Sequence, residues 1–155
     1  MTVFMADEQT APIDLERLGR LAEFVLVDRR VPGDMELSVL CVDSDAIAAL
    51  NTQHMGVAGP TDVLAFPMDM PGETAPGEPA ILGDVVLCPD VARRQAPEHG
   101  ATPEAEVDLL LVHGILHLLG HDHAEPDERA EMFGLTDRLL AAFRAPDDLP
   151  GGDGA

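Results

Sequence analysis

Apolar residues recur along this chain in two periods, and the alternation between them outlines its elements. Leu15, Leu18, Leu21, Ala22, Val25 and Leu26 follow the three-and-four spacing of an amphipathic helix, which predicts a helix over Ile13 to Asp28 with Pro12 in its first turn. Glu36 to Val42 reads as a strand, and the cluster Asp43-Ser44-Asp45 behind it supplies caps for a short helix through Leu50. Val63 to Phe66 and Ile81 to Cys88 are two further strands, separated by a Pro- and Gly-rich loop over residues 68–80. A helical stretch follows Pro89 and stops at Gly100, and Thr102-Pro103-Glu104 carries the cap, first-turn proline and acidic residue that start the next helix. That helix, Glu104 to about Leu119, is apolar nearly all round from Val107 onward, interrupted by Asp108, His113, Gly114 and His117. A helix of that kind belongs inside a protein. A last amphipathic helix spans about Asp127 to Phe143, and residues 146–155 read as a disordered acidic tail.

Composition narrows what such a chain does. At 155 residues it is expected to form one domain, residues 1–145, with a core large enough to need no staples. Cys41 and Cys88 lie far apart without metal or redox spacing, so each is expected to pack as a small apolar residue in a reducing compartment. No apolar run approaches the roughly 18 residues of a membrane helix, and the start of the chain lacks the pattern of a leader; a soluble, cytoplasmic protein is expected. Twenty-nine acidic residues face nine basic ones, all arginine, for a formal net charge of −20. Such a surface repels polyanions on average. The pairs Arg29-Arg30 and Arg93-Arg94 are the local basic patches on offer, and solvated helix faces are the simpler account of both.

The run HGILHLLGHDH, residues 113–123, holds four of the six histidines. His113 and His117 are four apart, so on a helix their Cβ atoms stand about 5–6 Å apart and both rings can address one cation. Burying several unpartnered imidazoles is costly, which makes a metal the economical explanation. His121 would lie about 12 Å along the helix axis from His113, too far for easy convergence. Gly120, a natural helix terminator, allows the chain to turn and bring His123 back instead. The resulting spacing of His113, His117 and His123 is that of metzincin proteases, except that the glutamate acting there as general base is here Gly114. Three imidazoles leave one position of zinc to water, so no side chain is singled out as catalytic. His54 and His99 are assigned no role.

HGILHLLGHDH resembles the HGxLHLxGYDH signature of the YbeY family of bacterial endoribonucleases. The likeness extends to LN at 50–51, PTDVLAFP at 60–67, LGDVVLC at 82–88 and Arg94-Gln95-Ala96, in matching order over about residues 35–143. The resemblance implies an α+β fold, a small mixed β-sheet with packed helices, zincin-like. It implies one Zn2+ ion per chain on His113, His117 and His123. It implies, too, a single-strand-specific endoribonuclease acting on the 3′ end of small-subunit 16S ribosomal RNA and in ribosome quality control. Its partners would be ribosomal RNA precursor and small-subunit proteins or assembly factors. Two positions depart from the family pattern: His54-Met55 replaces Tyr-Arg, and His121 replaces the tyrosine of GYDH. His121 thus puts an extra imidazole, a candidate acid or base, at the mouth of the site, while Asp122 is placed either to orient a ligand ring or to hydrogen-bond the turn's backbone. A zinc peptidase and a non-catalytic assembly factor with a structural zinc are the competing readings.

Overall fold

Strand alternation and a buried helix together decide the architecture of the computed structural model, which describes residues 2–73, 75, 78–121 and 125–145. The elements in order are β1 (Thr2–Glu8), α1 (Leu15–Asp28), β2 (Met35–Val42), α2 (Ser44–Leu50), β3 (Val63–Pro67), β4 (Ala80–Leu87), α3 (Pro89–Gln95), α4 (Pro103–Leu118) and α5 (Pro126–Arg144). A π-helical turn, Asn51–Met55, extends α2, and a 3-10 turn, Ala96–His99, extends α3. The expected acidic tail, residues 146–155, lies outside the described residues.

The sheet order is β1-β2-β4-β3. β1 and β4 both run parallel to β2, and β3 closes the far edge antiparallel to β4, so the sheet is mixed as expected. β1 was not foreseen from the sequence; it is an edge strand in which only Val3 and Met5 are partly buried. α1 begins at Leu15, two residues later than predicted, because the Asp14 side chain accepts from the Arg17 backbone N–H and caps the helix. Pro12 therefore precedes the helix.

Residues at every second position of β2, Leu37, Val39 and Cys41, join Val85 and Leu87 of β4 under α1 and α4 in the main core. On the opposite sheet face the described residues form a second, smaller cluster, where Ile47 of α2 meets Val42, Leu64, Val86 and Cys88. Both cysteines are buried and free, and burial pushes the Cys41 thiol up to about 12. It stays protonated and behaves as a small apolar group.

α4 carries two buried carboxylates, and each is paired. Asp108 accepts two hydrogen bonds from the Arg17 guanidinium, both at 2.8 Å, and a third from Arg144 at 2.9 Å, which ties α1, α4 and the end of α5 together. Glu106 is met by Gln95 Nε2 at 3.0 Å and by His99 Nδ1 at 3.0 Å, and the same Gln95 amide also donates to Asp62 at 2.8 Å. His99, to which no role was assigned, therefore helps to seat α4. The hydrogen bond to Glu106 raises its pKa above the ordinary 6.5. In the unfolded chain that partner is lost, so the contribution of protonated His99 is complete below about pH 6.5 and fades as pH rises through the higher folded value. The variant H99A should consequently lose more stability relative to wild type at about pH 5.5 than at about pH 9. Urea midpoints at the two pH values check this, and an equal or larger loss at the alkaline value would contradict it.

Candidate metal centre

α4 is buried on most of its circumference, so its orientation on the sheet decides where the histidines go. Ten of its residues, from Glu106 to Leu118, are buried, and Gly114 is the point of closest approach. A Cβ added there would stand 2.7 Å from Val85 Cγ1 and 3.4 Å from Val63 Cγ2. Only a glycine lets the helix backbone come that near to β3 and β4. At about 100° per residue, pointing position 114 at the sheet puts positions 113 and 117 on one shared flank of the helix, only about 40° apart. His113 and His117 are partly buried on that flank, and Nε2 of His113 is itself buried. The phenyl ring of Phe133 from α5 meets the His113 ring edge to face, with centroids 4.7 Å apart.

The helix ends as Gly120 predicts. Gly120 takes a left-handed φ of 95°, its N–H bonds to the His117 carbonyl at 3.0 Å, and the His121 N–H reaches back to Leu116 O at 3.0 Å. His121 follows the turn and is half-buried. The loop after β3 approaches here, with the Met70 methyl 3.5 Å from where a Gly120 side chain would begin. The remaining residues singled out from the sequence, Asp122 and His123, lie outside the described residues. Among the described residues no three His, Cys, Asp or Glu side chains gather into a metal site. Two imidazoles one turn apart on a buried helix are borderline-soft nitrogen donors that suit zinc, and the chain turns back directly beyond them. The residues present fit a metal ion to this extent.

The other candidates fall elsewhere. Arg93 lines a cavity of about 400 Å³ beside Arg17 and Glu104 at the start of α4, about 20 Å along the helix from His117. Arg94 pairs with Asp90 at 3.5 Å and Arg29 with Asp28 at 3.6 Å, so both arginine pairs are largely solvated helix ends. Met55, in the family's arginine position, is exposed, while His54 packs edge on to Phe66 at 5.1 Å. His54 and Phe66 line, with Ser38, Leu40 and Asp84, a groove of about 490 Å³ on the sheet face opposite α4.

A sequence model described as endoribonuclease YbeY matches residues 4–144. The chain belongs to the YbeY family. A relative named endoribonuclease YbeY from Nocardioides sp. is 54% identical over 151 residues, covering 94% of this chain and 99% of the relative. Another from Thermobifida fusca is 54% identical over 147 residues, covering 93% and 95%. Among solved structures, the solution structure of TM1509 from Thermotoga maritima matches with a TM-score of 0.62 and 29% identity, covering 97% of this chain and 99% of that one. The family accounts for the order of the sequence blocks, and the structure accounts for Gly114. A metzincin-type glutamate at this position would have to enter the packed space between α4 and β4, so peptide hydrolysis by that route has no room for its general base.

The tightness of this contact is measurable. The variant G114A should lose about 1–3 kcal/mol of stability through overpacking. Adding V85A should recover part of that loss, so that the double variant is more stable than the sum of the single effects predicts. Strict additivity of the two substitutions in urea unfolding would show that α4 does not press on Val85.

Proposed function

We propose that this chain is a metal-dependent endoribonuclease that cuts single-stranded segments of precursor ribosomal RNA, at the 3′ end of the small-subunit RNA and in ribosome quality control. One zinc ion per chain is held by His113, His117 and His123. The reading rests on family membership together with one observation, that Gly114 docks α4 so that His113 and His117 share a flank beside the turn at Gly120. When bound, zinc supplies polarisation of a phosphoryl oxygen and lowers the pKa of water toward neutrality.

The chain's own residues supply the rest. His113 is steadied by Phe133, and α4 is anchored by Asp108 and Glu106 at the end far from the histidines. The −20 charge disfavours tight binding of naked RNA, so small-subunit proteins or assembly factors bring the substrate. Among the described residues no helix is long and apolar enough to cross a membrane, and the work is assigned to the cytoplasm with the ribosome.

Wild-type protein should cleave a small-subunit RNA precursor, lose that activity to a chelator and regain it with zinc. The variant H117A should be slower by more than about 100-fold, since a ligand counts for more than the groups that merely orient one. Equal cleavage by untreated, chelated and H117A protein would overturn the proposal.

A further inference from the structure

The chain has little of the basic surface that a nucleic-acid enzyme ordinarily uses. There is no lysine in the chain, and the family's arginine position is Met55. α5 carries what stands there instead. Its buried face is Met132, Leu135, Thr136, Leu139 and Leu140. Phe133 does not belong to that face and remains 41% exposed, although it touches His113. Of the five phenylalanines, only Phe4 and Phe133 are exposed, and Phe4 lies on the edge strand β1. An edge-to-face contact occupies at most one face of a phenyl ring. With 41% of the residue exposed, part of Phe133 is accessible to solvent beside His113.

A cation accompanies it. α5 runs back along α4, since Phe133 meets His113 while Arg144 reaches Asp108. One turn from Phe133 toward the start of α5 is Arg129, on the same side of the helix. That step leads in the same general direction as the turn from His113 to His117, so Arg129 lies on the His117 side of Phe133. Arg129 is exposed, and among the described residues no acidic side chain pairs with its guanidinium. Glu125 and Asp137 lie one turn beyond the two ends of this pair, which limits the patch to one or two nucleotides.

We propose that Phe133 and Arg129 form a clamp for a single RNA strand, a base stacking on the exposed part of Phe133 while Arg129 contacts an adjoining backbone phosphate. The inference rests on the nuclease reading and adds how the substrate is gripped. Stacking needs no positive charge and accepts any base, which suits a strongly acidic protein acting on single strands. A duplex, whose bases are already stacked, is refused at this point.

The test is the affinity of the zinc-loaded protein for an unstructured 2′-O-methylated RNA oligonucleotide, followed by fluorescence anisotropy, with zinc content measured on every variant. F133A should weaken binding by about 10-fold or more, while F133Y stays near wild type and F133L remains as weak as F133A. R129A should weaken binding and reduce its salt dependence by about one phosphate contact. Removing single bases from the oligonucleotide should weaken wild-type binding at one position and leave F133A unaffected there. Wild-type affinity in F133A at unchanged zinc content would overturn the clamp. If F133A loses zinc or folds poorly, base removal on wild-type protein decides, and no sensitive position overturns the clamp. Wild-type protein that binds the strand but cleaves no RNA with zinc present would instead overturn the nuclease reading.

Discussion

Everything at the histidine end of this molecule depends on how closely α4 lies against the sheet. Gly114 on Val85 and Val63 is a contact between backbone and side chain that no larger residue permits. It fixes the rotation of the helix and, with it, the flank that carries His113 and His117. The far half of the helix is held by two buried carboxylates. Unpaired, each would cost several kcal/mol, and each has found cationic or amide partners from other elements. Packing sets the rotation of α4, and the ion pairs resist its sliding or tilting.

Most of this was legible in the sequence where the signal is local. The strands β2, β3 and β4, the caps at Asp43 and Thr102 and the turn at Gly120 follow from alternation, capping chemistry and the left-handed preference of glycine. β1 was not legible, because it is an exposed edge whose strand character comes from pairing with β2 about thirty residues away. His99 and Glu106 are seven residues apart, with the left-handed turn at Gly100 and the start of α4 between them, and nothing in composition announces their pairing. Phe133 had a signal that the periodicity alone does not value: a large aromatic placed off the apolar stripe of its own helix.

Charge and site point to one style of substrate recognition. A chain with 29 acidic residues and nine arginines does not hold RNA by phosphate neutralisation over a broad face. Stacking on an exposed ring, as proposed for Phe133, would favour unpaired RNA without needing a broad basic face. The same packing that places His113 and His117 disfavours the peptidase alternative, since the position where a metzincin keeps its glutamate is pressed against β4.

The central claim is that three imidazoles, from one buried helix and the turn after it, hold a single zinc ion with one position left open. X-ray absorption at the zinc edge of the fully loaded protein measures this directly. The account predicts four light scatterers at about 2.0–2.1 Å, three showing the outer-shell pattern of imidazole and the fourth an oxygen. A sulfur shell at about 2.3 Å, or a spectrum unchanged in H113A and H123A, would contradict it.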